Sequence, residues 1–154
     1  MRKADLTIIG GGVIGLSCAL HLQEAAPELH ITIADAPTRP GIASRAAAGM
    51  LAPYAEFQED SPLFHLCLKS FGYYQDFISR FEIDRAGGPK LDLSGTLIPC
   101  NDQYGKRALR LARHAKKYTD VELLEDEDLY REEPLLREGI CTKALLVEGG
   151  IIDP

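Results

Sequence analysis

Leu6-Thr7-Ile8-Ile9-Gly10-Gly11-Gly12-Val13-Ile14-Gly15 is the stretch that decides the fold. Its apolar start, rich in β-branched residues and bounded by glycine, has the pattern of a buried parallel strand. G-x-G-x-x-G follows at once, with Gly10, Gly12 and Gly15 at the glycine positions. Gly10 permits a tight turn, Gly12 lets a diphosphate approach the backbone, and Gly15 lets a helix pack closely against the strand. Outward from the motif, Val13 to Glu24 reads as a helix, with Ile14, Cys18 and Leu22 on one face, Leu16 and Leu20 nearby, and Pro27 closing it. Ile31-Thr32-Ile33-Ala34 reads as a second buried strand ending at Asp35. Strand, helix and strand with short connections predict a right-handed βαβ unit with both strands parallel in one sheet. Asp35 stands about 20 residues past the last glycine, where a carboxylate accepts hydrogen bonds from ribose hydroxyls and repels a 2′-phosphate such as that of NADP. The free N–H groups at the start of the helix complete a diphosphate site.

This motif alone serves NAD and FAD equally. The next stretch, Gly41-Ile42-Ala43-Ser44-Arg45-Ala46-Ala47-Ala48-Gly49-Met50-Leu51-Ala52-Pro53, is a run of small side chains. Such a run suits close approach of backbone to a bulky ligand, or tight packing of a helix start on a sheet, and composition leaves both open. Ser44 can donate a hydroxyl to phosphate, and Arg39 or Arg45 can offset diphosphate charge.

Farther along, Ser61-Pro62 begins a helix, serine as cap and proline at the first position. Leu63, Leu66, Cys67, Ser70, Tyr74, Phe77, Ile78 and Phe81 give it an apolar face. Leu91, Leu93, Gly95, Leu97 and Pro99 alternate with polar residues as one strand with a solvated face would. Asp102 to Tyr118 reads as a basic amphipathic helix whose Lys106, Arg107, Arg110, Arg113, Lys116 and Lys117 form a solvated face. Glu125 to Glu133 reads as a short acidic helix stopped by Pro134, Ile140 to Val147 as a strand, and Ile151-Ile152-Asp153-Pro154 ends the chain. The pattern shifts from α/β at the start toward α+β, with a boundary between residues 82 and 90 near Arg85-Ala86-Gly87-Gly88-Pro89.

Composition narrows the function classes. The chain has 154 residues, 45% of them apolar, and 17 Lys+Arg against 23 Asp+Glu, for a net charge of −6. That balance excludes a disordered chain and argues against a nucleic-acid binder or a polybasic membrane anchor. Cys18, Cys67, Cys100 and Cys141, and His21, His30, His65 and His114, are scattered with no C-x-x-C pair, so they read as packing residues and no metal site is expected. Arg2 and Lys3 ahead of an apolar run resemble a signal peptide, but Asp5 and the glycines interrupt it and no small-x-small cleavage site follows. The run is also too broken for a membrane span. A cytoplasmic, reducing compartment is the expectation.

The motif Ile8 to Gly15, and more specifically Ser44-Arg45-Ala46-Ala47-Ala48-Gly49-Met50-Leu51-Ala52-Pro53 with Glu56, resembles the FAD-dependent D-amino-acid oxidase superfamily. The likeness is greatest to glycine oxidases associated with thiamine biosynthesis, and it continues more loosely through Glu132-Glu133-Pro134 to the chain end. The resemblance implies FAD as cofactor, with Gly10, Gly12, Val13, Ile14 and Gly15 along the diphosphate and Asp35, next to Ala36, on the adenosine ribose. It places Ala43, Ser44, Ala48, Gly49 and Met50 on the diphosphate and flavin-ring side, with Met50 beside flavin and substrate. Two positions depart from the family pattern: Asp35 stands where Glu is frequent, and Arg45 where a small or aromatic residue is. The implied reaction is oxidative deamination of glycine or another small amino acid or amine by oxygen, giving an oxo acid, ammonia and hydrogen peroxide. Family members hold the substrate carboxylate with an arginine and a tyrosine that have no counterpart among these residues. Tyr54, Tyr73 and Tyr74 do not match, and the arginines after residue 100 fall mostly on the charged helix.

The fold expectation is therefore a Rossmann-like FAD-binding βαβ start with an incomplete parallel sheet, then the beginning of an α+β substrate domain. The expected division is residues 1–84 and 85–154. Two parallel strands leave open sheet edges, and with Asp153-Pro154 directly after a short strand the chain reads as the first portion of a longer protein, which as a whole is expected to form homo-oligomers. Two alternatives use the same residues: an NAD-dependent dehydrogenase domain, and a non-catalytic piece or subunit completed by a second chain.

Overall fold

In the computed structural model, which describes residues 3–36, 43–80, 90–101, 105–137 and 139–153, β1 (Leu6–Ile9), α1 (Val13–Ala25) and β2 (Ile31–Ala34) form the opening unit. β1 and β2 pair in parallel, Leu6 opposite Ile31 and Ile9 opposite Ala34, so the expected βαβ unit is present. The far end of the pair is closed by Asp5, whose carboxylate accepts the backbone N–H of His30 at 3.0 Å. That N–H is the main reason the Asp5 carboxyl is held below its ordinary value. A short α2 (Ala43–Ala46) ends this unit, which contact density separates at Ala47 from the remaining chain.

Burial here differs from the strand expectation. Ile9 is 89% exposed and Ile14 78% exposed, and α1 has no buried residue. Two strands about 4.8 Å apart form a floor narrower than a helix about 10 Å across. The half-buried positions of α1 include Gly15 and Ala19, while Ile14, Cys18 and Leu22 on the expected face are exposed.

The second unit, residues 48–154, holds the core. It runs β3 (Met50–Leu51), α3 (Pro53–Glu56), α4 (Pro62–Arg80), β4 (Lys90–Asp92), β5 (Thr96–Pro99), α5 (Gly105–Ala115), β6 (Val121–Glu125), α6 (Asp126–Glu132), β7 (Lys143–Val147) and β8 (Gly150–Asp153). Its strands form two antiparallel sheets, ordered β3-β8-β4 and β5-β7-β6. Ala108 and Ala112 of α5 pack on Leu145 of β7, and Tyr54, Phe64, Ala115 and Val147 form a neighbouring cluster.

Ser61 caps α4 as expected: its hydroxyl accepts the Phe64 N–H at 3.0 Å, and Pro62 opens the helix. The inward side chain is Phe64, with no accessible surface, while Leu63 and Leu66 of the expected face are 57% and 62% exposed. The buried stripe is rotated by about one residue at this end, because Phe64 fills an aromatic pocket between Tyr54, Phe57, His114 and Tyr118. The single strand read over residues 91–99 is two strands in two sheets. The chain breaks where Asp92 accepts the Ser94 N–H at 2.8 Å and Gly95 takes φ +113, a conformation open to glycine. β6 is an element the sequence reading lacked. The basic residues of α5 and the following turn are exposed as expected, on the side opposite Ala108, Leu111, Ala112 and Ala115.

The expected boundary near residues 84 and 85 falls in residues 81–89, outside the described residues, as do Arg39, Phe81, Asp102 and Pro154. Sheet β3-β8-β4 draws on residues from both sides of that position.

Candidate functional site

The site in the first unit is built at the turn from β1 into α1. The Gly10 N–H donates to Ala34 O at 2.8 Å, tying the strand end to β2, and Gly10 then takes φ +108 to reverse the chain. A Cβ on Gly15 would lie 2.0 Å from the Gly10 carbonyl oxygen, and Ile8 Cγ2 is also in contact. Only glycine lets α1 start this close to β1. Gly12 caps the helix with extended backbone and no side-chain bond of its own.

Two side chains converge on this turn. Ser44 Oγ accepts the N–H of Val13 at 3.0 Å, and a Cβ on Gly12 would lie 3.3 Å from the same oxygen. The Asp35 carboxylate lies over Gly11, where a Cβ would approach Oδ2 to 2.9 Å. The first turn of a helix carries N–H groups without intrahelical acceptors. Here Ser44 takes that of Val13, and those of Ile14 and Gly15 belong to the same set, beside the positive end of the helix dipole. Val13 and Ile14 are 61% and 78% exposed, so the turn opens to solvent. A glycine cradle, N–H donors and a hydroxyl suit a diphosphate, and a carboxylate at the end of the second strand suits a ribose. The residues present therefore fit a dinucleotide.

Gly10, Gly12, Val13, Ile14, Gly15, Asp35 and Ser44 thus come together within residues 1–47, with Ala36 following Asp35 and Ala43 preceding Ser44. Ala48, Gly49 and Met50 belong to the second unit. There Gly49 takes φ +75 and its carbonyl accepts the Ile152 N–H at 2.9 Å; a Cβ would lie 2.0 Å from Ile152 O. This tight crossing seats Met50 opposite Ile151 in β3, where Met50 is 60% exposed and lines a cleft of about 430 Å³. Glu56 and Arg107 line the same cleft. Arg107, read as part of a solvated face, lies on that helix but also donates to Ala55 O at 3.4 Å.

A polar cluster that the sequence reading missed fastens the turn before α4 to α5. Asp60 accepts hydrogen bonds from Tyr118, Lys117 at 3.0 Å and His114 Nε2 at 3.2 Å. The Tyr118 hydroxyl is the largest cause, ahead of Lys117 and His114, of an Asp60 carboxyl held far below the carboxylate range, and Asp60 in turn pushes the Tyr118 hydroxyl up. His114 is buried, with Nδ1 3.0 Å from Phe57 O and its ring on Phe64. Asp60 and His114 are 54 residues apart in sequence, so no local pattern joins them.

The profile of the FAD dependent oxidoreductase family DAO matches residues 5–154. The chain is 31% identical over 137 residues to the bifunctional protein ThiO/ThiG of Synechocystis, covering 89% of this chain and 19% of that protein. It is 30% identical over 162 residues to glycine oxidase of Bacillus licheniformis, covering 100% of this chain and 41% of that enzyme. The crystal structure of glycine oxidase from Geobacillus kaustophilus superposes with a TM-score of 0.82 at 26% identity, over 98% of this chain and 41% of the other. The chain thus spans about a fifth to two-fifths of the length of these relatives. The turn at Gly10 to Gly15, with Asp35 and Ser44 on it, and the match along nearly the whole chain agree: this protein belongs to the DAO family of FAD-dependent oxidoreductases.

Proposed function

We propose that the protein acts as an FAD-dependent amino-acid oxidase of the glycine oxidase type. In this reading glycine or another small amino acid or amine, with oxygen and water, yields an oxo acid, ammonia and hydrogen peroxide. The observation that carries it is the Gly10–Gly15 turn with Ser44 and Asp35 converging on it, in a chain of this family. When bound, FAD supplies the acceptor for the hydride of the amine-bearing carbon and hands its electrons on to oxygen.

The chain's own residues do the holding. The N–H groups of Ile14 and Gly15 and the helix dipole face the diphosphate, the hydroxyl proton of Ser44 reaches one of its oxygens, and Asp35 accepts from the ribose. Met50, exposed on β3, belongs to the same proposal as a residue of the flavin and substrate side. Residues 1–84 as the start of the flavin domain and 85–154 as the start of a substrate domain belong to the same proposal. So do a cytoplasmic location, a homo-oligomeric full-length protein and a place in thiamine biosynthesis, the last from the likeness to ThiO/ThiG. Among the described residues no helix is long and apolar enough to cross a membrane.

The exposed apolar residues of β1 and α1, Ile9, Val13, Ile14 and Leu16 among them, favour a second component of this reading. Residues outside the 154, in the same or another chain, complete the sheet and supply the substrate's arginine and tyrosine. The test is to purify the intact protein, release its cofactor by denaturation, and assay peroxide and ammonia with glycine. FAD release with glycine-dependent peroxide is the expected result; NAD alone, or no flavin, refutes the reading.

A further inference from the structure

We propose that Arg107 and His114 are positioning residues: from one side of α5 they hold carbonyls of the segment that follows Met50, and so set where Met50 stands. The importance of Met50 is that of the oxidase reading, and to that extent the inference rests on it. The hold itself rests on the bonds between α5 and that segment.

Met50 is 60% exposed, so its place is set through the backbone and not by a core around its side chain. β3 has two residues and lies at the edge of sheet β3-β8-β4, where the Gly49 crossing at Ile152 fixes its upstream end. The downstream end leads into α3, whose four residues are too few for a helix stable by itself. Tyr54 seats α3 in the cluster that includes Ala115 of α5. Apolar burial is non-directional, so it does not fix how far α3 sits along α5.

Hydrogen bonds supply that register. Arg107 Nη2 donates to Ala55 O at 3.4 Å. His114 Nδ1 lies 3.0 Å from Phe57 O, and because a carbonyl only accepts, this nitrogen donates. Both carbonyls stand at the end of α3, where the last C=O groups of a helix have no intrahelical partner. Arg107 and His114 are seven residues apart, two turns of α5, so they share one side of it about 10 Å apart along the axis. Two donors so spaced fix both the advance and the rotation of the segment, which a single bond does not. The His114 ring is itself fixed: it is buried, packs 4.4 Å from the Phe64 ring, and reaches Asp60 Oδ1 through Nε2 at 3.2 Å. Arg107 lines the same cleft as Met50 and His114 does not, so any effect of His114 on Met50 travels through α3.

The test is NMR of the intact protein labelled with [methyl-¹³C]methionine, with Met50→Leu identifying the Met50 signal. Arg107→Leu and His114→Leu are each expected to displace that signal. Arg107→Lys and His114→Asn, which keep a donor in place, are expected to return it to its native position. Lys106→Leu, the same change on the outward face of α5, should leave it unmoved. With glycine as substrate, Arg107→Leu should lower kcat about tenfold and Arg107→Lys should recover it, since a misplacement of about 1 Å costs up to about a hundredfold. A Met50 signal unmoved in Arg107→Leu, or not returned by Arg107→Lys, overturns the proposal. Arg107 is exposed and its loss removes one surface bond, so this arm decides even where His114→Leu does not fold. Failure of the oxidase reading shows as absence of flavin and of turnover, while the Met50 signal is read independently of both.

Discussion

Two glycines show how one substitution takes opposite signs at different residues. Gly15 has the Gly10 carbonyl oxygen where a Cβ would go, at 2.0 Å, so Gly15→Ala must push α1 off β1. Overpacking of this kind costs about 1–3 kcal/mol, and it displaces the N–H donors meant for the diphosphate. Flavin fluorescence titration should show FAD affinity lowered at least about tenfold, together with a fall in melting temperature; wild-type affinity would mean the close approach is unnecessary. Gly72, exposed in the middle of α4, has nothing within 4 Å of the position an alanine methyl would take. There alanine is expected to stabilise by about 0.5–1 kcal/mol, read from the urea midpoint, because glycine loses more backbone entropy in a helix. Ser44→Ala tests the other contact at the turn. It leaves the Val13 N–H without its acceptor and removes a phosphate donor, so affinity for FAD should drop about tenfold, with a stability change no larger than loss of a helix cap, about 0.5–2 kcal/mol.

Among the elements, the hold between the turn before α4 and α5 depends on one carboxylate, Asp60, and therefore on pH. Its folded-state acidity is depressed, chiefly by the Tyr118 hydroxyl, while an aspartate in the unfolded chain titrates near about 3.9. The unfolded chain thus takes up a proton first as acid is added. Stability from this group is complete above about pH 5 and is lost as pH falls through the unfolded-state value toward the lower folded-state value. Urea midpoints measured from pH 6 downward should fall steeply in the native protein and less steeply in Asp60→Asn, which starts lower at neutral pH. Asp5, also depressed, keeps some slope in the variant. Equal slopes would show that the Asp60 cluster contributes nothing to acid sensitivity. This cluster also marks the limit of what a sequence shows. β1, α1, β2 and the Ser61 cap were legible because each is written in neighbouring residues: a β-branched run, three spaced glycines, a serine before proline. Asp60 with His114, or Arg107 turned toward Ala55, depends on elements more than 50 residues apart meeting in space, where local periodicity has no say. The break at Gly95 and the inward turn of Phe64 were hidden for a related reason. Alternation and helical spacing describe an element's own surface, while the partner sheet and the aromatic pocket decide which part of it is used.

For the molecule as a whole, the two units are stabilised by different means. The second owns the buried clusters around Phe64, Leu129 and Leu145, whereas no described residue of 1–47 is buried. A unit without a core of its own gains most from a ligand that binds only its folded form. At a free concentration one hundred times its dissociation constant such a ligand adds about 2.7 kcal/mol. With a net charge of −6 the protein's overall field opposes a dianionic diphosphate, so binding must come from the local N–H groups and dipole at Gly12 to Gly15. Amide hydrogen exchange then gives a direct measurement. At that excess FAD should slow exchange at Leu6, Ile8 and Gly10, whose N–H groups face β2, by about a hundredfold, the same free energy expressed as an opening equilibrium. NADH at equal concentration should leave those amides unchanged. Protection that appears on β5 and β7 while β1 and β2 stay as they were would place the cofactor on the second unit, and the reading of the glycine turn would have to be given up.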